Sequence, residues 1–156
     1  SVGSQLLDAV NEAARYGNLP GRLHFQLFTG PYCRPEVVTQ LLEARPRNLA
    51  VDQFTDDFVD WLAAADLSIS MAGYNTSMNA LAAGVPALML PFDQNSEQRL
   101  RVERLTTGHS IKMLKETDLT PDRLAALMTE QLREKRYHTA IDLEGARQTA
   151  LLLEPL

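Results

Sequence analysis

An apolar run that begins and ends with proline, 86–91, constrains the fold of this chain more than any other feature. It has the sequence Pro-Ala-Leu-Met-Leu-Pro, and a strand without a polar position must be covered on both faces. Such strands belong to parallel sheets, because the crossover between parallel strands is usually a helix that packs on the sheet. The run therefore predicts an α/β domain.

The remaining segments alternate between strand-like and helix-like patterns, as an α/β domain requires. Alternating or apolar runs predict further strands at 23–28, 49–54, 67–71 and 109–113. Helical periodicity and end signals predict four helices with both bounds, at 35–44, 75–83, 96–107 and about 141–153. Three more are predicted by one end only: a first helix that ends at Gly17, one that follows Thr55 and one that begins at 120–122. We expect one domain over residues 1–156, with a Rossmann-like parallel sheet and helices on both faces.

Composition and charge argue against several classes of protein. The net charge is -5, whereas a nucleic-acid-binding domain normally presents a basic face. No apolar run approaches the roughly 20 residues that span a bilayer. A single cysteine, Cys33, cannot form an intrachain disulfide, which favours a reducing compartment. The three histidines lie far apart, without metal-ligand spacing. We expect a soluble cytoplasmic protein that binds neither nucleic acid nor a metal.

The segment 71–77, Met-Ala-Gly-Tyr-Asn-Thr-Ser, joins a predicted strand to a predicted helix. Ligands of parallel α/β sheets bind at such junctions, beyond the carboxyl ends of the strands. Gly73 permits a tight turn, and the free backbone N–H groups at the helix start form an anion site together with the helix dipole. Asn75 and Thr76 offer side-chain donors as well. The alternative is an ordinary helix that is capped by one of its own side chains.

The segment 91–98 follows the apolar strand and carries six polar side chains in a row, from Asp93 to Gln98. Carboxylate and amide groups suit sugar hydroxyls, because they supply hydrogen-bond donors and acceptors. The alternative is a solvated turn in which Asn95 or Ser96 caps the next helix. Because the two segments follow consecutive strands of a parallel pattern, we expect them at the same edge of the sheet. A nucleoside diphosphate sugar needs the chemistry of both.

The same residues resemble a known signature. The segments 71–79, 82–87 and 91–94 are similar to the donor site of GT-B glycosyltransferases, both the bacterial N-acetylglucosaminyltransferases of peptidoglycan-precursor synthesis and the plant UDP-sugar transferases. The segment 54–57 also resembles the bacterial enzymes, and the likeness is firm over 51–111. This resemblance implies the C-terminal half of a GT-B fold, which holds a nucleotide sugar, with UDP as the nucleotide.

The resemblance also assigns substrate-binding residues. They are Gly3, Ser4, Phe54, Thr55, Gly73, Tyr74, Asn75, Thr76, Asn79, Asp93, Gln94 and Gln98. Gly73, Asn75 and Thr76 are expected to face the diphosphate, mainly through backbone amides. Asp93, Gln94 and Gln98 are expected to contact the transferred sugar, and the backbone of 54–55 the base. Asn79 stands where the family usually has a glutamate that binds the ribose, so we expect weaker ribose binding.

The first residues of the chain resemble part of another family feature. GT-B enzymes have a glycine-rich phosphate loop between the first strand of this half and the following helix. Here Gly3 and Ser4 lead straight into a predicted helix, so the resemblance implies that they are the remnant of that loop and that the chain is cut inside it. The alternative is a terminus with a serine N-cap.

The family mechanism implies that an acceptor attacks the anomeric carbon while the nucleoside diphosphate leaves, without a metal or a cofactor. The general base is implied to lie in an N-terminal acceptor-binding domain or a partner subunit, so the isolated chain is expected to bind donor but to transfer little. Any membrane contact would come through that half. Two alternatives remain: a GT-B sugar-nucleotide epimerase, disfavoured because neither junction contains histidine, and a non-catalytic interaction domain of the same fold, favoured by Asn79.

Overall fold

The computed structural model describes residues 2–92 and 96–139. Their strands are β1 (Phe25–Phe28), β2 (Leu49–Asp52), β3 (Ser68–Met71), β4 (Ala87–Leu90) and β5 (Ile111–Met113). Their helices are α1 (Val2–Tyr16), α2 (Pro35–Ala44), α3 (Phe58–Ala64), α4 (Tyr74–Ala83), α5 (Ser96–Leu105) and α6 (Pro121–Gln131), with a 3-10 turn at Glu116–Asp118. Strands and helices alternate, as predicted. The helix predicted at 141–153 lies outside the described residues.

The strands are divided between two sheets instead of forming the single sheet that the alternation suggested. β1 pairs with β2, and β4 lies between β3 and β5. Every pairing is parallel, so the α/β parallel class is confirmed. A cleft of about 2000 Å³ is lined by β1, by β3 and by the first turn of α1. Strands β1 and β3 both border this cleft and are not hydrogen-bonded to each other, so the five strands form two sheets.

Strand β4 is buried at all four positions, as the apolar run predicted. Leu88 and Leu90 join a core cluster with α1 and α6, whereas Ala87 and Met89 join a second cluster with α3, α4 and α5. Successive side chains of a strand point to opposite faces, so this division places helices on both faces of the three-stranded sheet. The two layers of apolar contacts fix β4 in position.

The two-stranded sheet is less completely covered. Leu27 of β1 and Leu49 of β2 are buried in the cluster with α1, whereas Ala50 and Asp52 of β2 are exposed. Strand β1 begins two residues later than predicted, because the carbonyl of Leu23 accepts a side-chain hydrogen bond from Asn48 at 2.8 Å instead of extending the ladder.

Most other element ends differ from the predicted bounds by at most two residues, and α2 matches them. The start of α3 needs a correction. Thr55 accepts a hydrogen bond from the N–H of Asp57 at 3.1 Å, but the helix begins only at Phe58. Thr55 therefore stabilises a turn before the helix and does not cap the helix itself. No helix within 2–92 and 96–139 is long and apolar enough to cross a membrane.

Residues 135–139, which we call the strap, cross the C-terminal ends of α3 and α4. The guanidinium of Arg136 donates to the carbonyl oxygens of Ala63, Ala65 and Ala83, which are left without helical partners at those ends. Gly84 has a left-handed φ of 63° and accepts a hydrogen bond from the N–H of Tyr137 at 3.1 Å. The strap therefore packs against backbone as well as side chains.

Candidate functional site

The junction between β3 and α4 leaves a helix N-terminus open. Gly73 is the N-cap residue of α4, and no side chain makes a capping hydrogen bond to it in the described structure. The first helical bond runs from the N–H of Ser77 to the carbonyl of Gly73 at 2.9 Å, and no acidic side chain lies in the first turn. The helix is therefore not capped by a side chain of the described residues, and the backbone N–H groups of its first turn have no helical acceptor.

Gly73 is not required by the conformation of the backbone or by packing. Its φ is -63°, which any residue adopts, and among the described residues a Cβ added to it would meet only the Thr76 hydroxyl oxygen, at 4.0 Å. What the glycine provides is room beside the backbone. A ligand can approach the first amides of α4 more closely than it could beside a larger residue.

The first turn of α1 borders the same cleft as the start of α4. Gly3 and Ser4 lie in α1 and line the cleft together with Gly73 and Thr76. The N-terminal ends of two helices therefore meet one cavity, and each contributes the positive end of a helix dipole. Sequence analysis predicted both segments, and the structure brings them to one cavity.

The two junctions that follow β3 and β4 lie at the same edge of the three-stranded sheet. Met71 is paired with Leu90, and the N–H of Ala72 donates to the carbonyl of Leu90 at 2.9 Å. Beyond the strands, the Gln98 side chain accepts a hydrogen bond from the N–H of Phe92 at 3.0 Å, which ties α5 to the end of β4. Of the polar residues predicted there, Asp93 and Gln94 lie outside the described residues.

Arg101 of α5 lies at this edge, although sequence analysis did not select it. Its guanidinium donates to the carbonyl of Ala72 at 3.3 Å, pairs with the Glu97 carboxylate, and lies 5.1 Å from the ring centroid of Tyr74. In the sequence, Arg101 is one of several arginines in 99–104, and the signal that the sequence offered was its i, i+4 spacing from Glu97. The contact with Ala72 depends on the tertiary structure.

The residues that were predicted to contact the nucleoside lie further apart than those predicted to contact the diphosphate. Phe54, 64% exposed, and Thr55 lie in the loop between β2 and α3 and are not among the residues that line the cleft. The cleft is lined instead by Phe28 and Trp61, whose rings meet edge to face with centroids 5.5 Å apart. Asn79 lies beyond the first turn of α4 and is half-buried.

None of the described histidines lies at the carboxyl edge of the sheet, although His24 lines the cleft. His24 precedes β1, and His109 precedes β5, so both lie at the amino ends of strands. The His109 ring lies 3.1 Å from the carbonyl of Leu105 and packs edge to face on Tyr137. Within residues 2–92 and 96–139, no group of three histidine, cysteine or carboxylate side chains could hold a metal. Among the described residues, the carboxyl edge of the three-stranded sheet carries the start of α4, the Gln98 side chain and the Arg101–Glu97 pair.

Comparison with known sequences gives a consistent family. Residues 1–150 match the model of the glycosyltransferase family 28 C-terminal domain. A UDP-N-acetylglucosamine--N-acetylmuramyl-(pentapeptide) pyrophosphoryl-undecaprenol N-acetylglucosamine transferase of Vibrio cholerae is 31% identical over 124 residues, which are 79% of this chain and 34% of the relative. An uncharacterized glycosyltransferase of Methanosarcina acetivorans is 30% identical over 129 residues, 82% of this chain and 31% of the relative. The chain spans about a third of the length of these relatives.

Comparison with solved structures supports the fold. The crystal structure of the glycotransferase of kitacinnamycin superposes with a TM-score of 0.63 at 21% sequence identity. The match covers 83% of this chain and 31% of the other. At this identity the similarity shows a shared fold, and it agrees with the GT-B architecture that the sequence resemblance implied.

Proposed function

Because this chain belongs to the glycosyltransferase family 28 C-terminal domain, we propose that it binds the nucleoside diphosphate sugar of a glycosyltransferase. The acceptor and the general base are contributed by another domain or subunit. The observation that carries this proposal is the open N-terminus of α4 at Gly73, which borders the same cleft as the first turn of α1. Two helix dipoles aimed at one cavity suit a diphosphate.

The transferred sugar would lie beside the diphosphate, at the end of β4. Gln98 is already held there by the N–H of Phe92, and the polar residues Asp93 and Gln94 precede it in the chain. Carboxylate and amide side chains match the hydroxyl groups of a sugar, because they can accept and donate hydrogen bonds. The parallel pairing of β3 with β4 brings the carboxyl ends of both strands to one edge, which supports a single ligand that contacts the loops after both.

The nucleoside is proposed to be uridine. The Vibrio cholerae relative is named for UDP-N-acetylglucosamine, and this chain is 31% identical to it over 124 residues. The backbone of Phe54 and Thr55 would contact the base, and Asn79 would accept a hydrogen bond from the ribose. Since an amide brings no charge to the ribose, Asn79 would hold it less tightly than a carboxylate does.

The chemistry that the site can support is charge stabilisation. When an acceptor oxygen bonds to the anomeric carbon, the bond from that carbon to the diphosphate oxygen breaks, and negative charge grows on the leaving diphosphate. The amides and the dipole at the start of α4 are fixed in place before the reaction, so they lower the energy of that charge. The described histidines lie at amino ends of strands or in the strap, which is consistent with a base from the acceptor-binding half.

The chain is also proposed to work in the cytoplasm. Its support is the use of cysteine in the sequence: Cys33 is the single cysteine, as is usual for a protein of a reducing compartment.

Ligand binding tests the proposal directly. Titration calorimetry and thermal shift with UDP-, GDP-, TDP- and CDP-sugars should show that the UDP-sugar binds most tightly and raises the melting temperature. A chain that binds none of the four would contradict donor binding and favour a non-catalytic domain of the same fold.

Gly73→Val tests where the ligand sits. The φ of Gly73 is ordinary and a Cβ there meets no described atom closer than 4.0 Å, so the chain should lose only about 1 kcal/mol from valine at a helix start, whereas UDP affinity should fall at least about tenfold because the approach to the backbone is blocked. Ala82→Val places the same side chain on an exposed position further along α4 and is the matched control. Equal UDP affinity in the two variants would show that the phosphates do not bind at Gly73.

A further inference from the structure

We propose that Arg101 is a positioning residue for the donor diphosphate. It holds the peptide that leads into Gly73 and keeps a positive charge beside the first turn of α4. This inference rests on the proposed function and deepens it, since it adds a side chain from α5 to a site otherwise built from backbone amides.

The first part of the evidence is a hydrogen bond across two elements. The Arg101 guanidinium donates to the carbonyl of Ala72 at 3.3 Å, while the N–H of Ala72 donates to Leu90 of β4 at 2.9 Å. Both polar groups of the residue that precedes Gly73 are therefore bound. Because the orientation of the Ala72–Gly73 peptide sets the direction of the following amides, Arg101 contributes to the aim of the anion site.

The second part is the burial of Arg101 compared with Arg99 on the same helix. Both arginines form i, i+4 ion pairs, Arg101 with Glu97 and Arg99 with Glu103. The side chain of Arg101 is only 15% exposed, whereas that of Arg99 is 64% exposed. Solvent screens an exposed pair strongly, so Arg99 contributes little field to the site.

The third part is the charge balance around the guanidinium. Its carboxylate partner, Glu97, is 77% exposed, so water screens the negative charge more than the positive one. The Tyr74 ring, whose centroid is 5.1 Å from the guanidinium carbon, attracts the cation without neutralising it. The first turn of α4 itself carries no acidic side chain, so no charge on that turn opposes the guanidinium.

Charge removal at Arg101 separates this role from a merely structural one. Arg101→Met keeps an apolar stem of similar length and removes the donors, so we expect UDP affinity to fall about tenfold. Uridine carries no phosphate, so its affinity, measured by NMR titration on the same chain, should stay within twofold of the wild-type value. Arg101→Lys keeps the charge but loses the planar guanidinium, so its UDP affinity should lie between those of the wild-type chain and Arg101→Met.

Arg99→Met is the matched control, and it should bind both ligands as the wild-type chain does. If Arg101→Met weakens UDP and uridine by the same factor, or weakens neither, Arg101 has no role toward the diphosphate and the inference is overturned. The same holds if Arg101→Lys is as weak as Arg101→Met, since retained charge would then have no effect. A wild-type chain that binds no UDP would overturn the proposed function itself.

Discussion

The three-stranded and two-stranded sheets of this chain differ in how completely their strands are covered. Strand β4 is buried at every position between two apolar clusters, whereas two of the four residues of β2, Ala50 and Asp52, are exposed. Apart from Gly3 and Ser4 of α1, the proposed diphosphate and sugar contacts follow β3 and β4, in the covered sheet. The proposed base contacts, Phe54 and Thr55, follow β2. The proposed sugar contacts therefore follow the most completely buried strand, and the diphosphate loop at Gly73 follows β3, which is hydrogen-bonded to it.

Truncation of one core leucine in each sheet tests this difference. Leu88→Ala in β4 should lower the free energy of unfolding by about 4 kcal/mol, because helices on both faces prevent the cavity from collapsing. Leu49→Ala in β2 should lower it by about 2.5 kcal/mol, because the neighbouring exposed positions let the site relax. Urea denaturation measures both values. Equal losses would mean that the two sheets are equally fixed.

A second variant tests whether the strap fixes the covered sheet. Gly84→Ala places a Cβ 1.9 Å from the carbonyl oxygen of Tyr137 at a position with a left-handed φ of 63°. Backbone must shift to accept it, so we expect a loss of about 2 kcal/mol. Gly108→Ala is the control, since it has a φ of 81° but open space around its Cβ, and it should cost about 1 kcal/mol from the backbone alone. Equal melting temperatures for the two variants would show that the strap moves away from the added Cβ at little cost in free energy.

The smallest effect is expected at Tyr137 of the strap. Burial raises the pKa of its hydroxyl to about 12, and the described structure gives that hydroxyl no hydrogen-bond partner. Tyr137→Phe should therefore change stability at pH 7 by less than about 0.5 kcal/mol. Because the folded pKa is raised, the neutral phenol favours folding below about pH 10, and this contribution is lost as pH rises toward 12.

Chemical denaturation at pH 7, 10 and 11.5 follows the loss of that contribution. The wild-type chain should weaken more steeply above pH 10 than the phenylalanine variant does. Parallel declines in the two chains would show that Tyr137 is not buried in solution as it is in this structure.

The sequence predicted those features that local patterns determine. The apolar run with proline ends located β4, and Pro35 together with Pro46 bounded α2 as observed. Gly84 ended α4 because its left-handed conformation is one that glycine adopts without strain. Each of these signals acts within a few residues, so the element it determines does not depend on the rest of the fold.

Features that depend on contacts between distant residues could not be predicted. Arg101 reaches Ala72 across 29 positions, and nothing in the composition of α5 separates it from the exposed Arg99. The division into two sheets depends on which strands pair with each other, β1 with β2 and β4 with β3 and β5, and the sequence of a single strand does not specify its partner. Thr55 has a good capping side chain, but its hydrogen bond to Asp57 closes a turn before the helix. In each case the local signal permits more than one structure.

Amide signals recorded during UDP titration of the isotope-labelled chain test the central claim most directly. The account predicts that the N–H signals of Ser4, Gly73, Asn75 and Thr76 shift together with one affinity, because a single diphosphate binds between the two helix starts. Signals of α2, Pro35–Ala44, should stay in place. Saturable binding that leaves the signals of residues 73–76 unmoved would contradict the account.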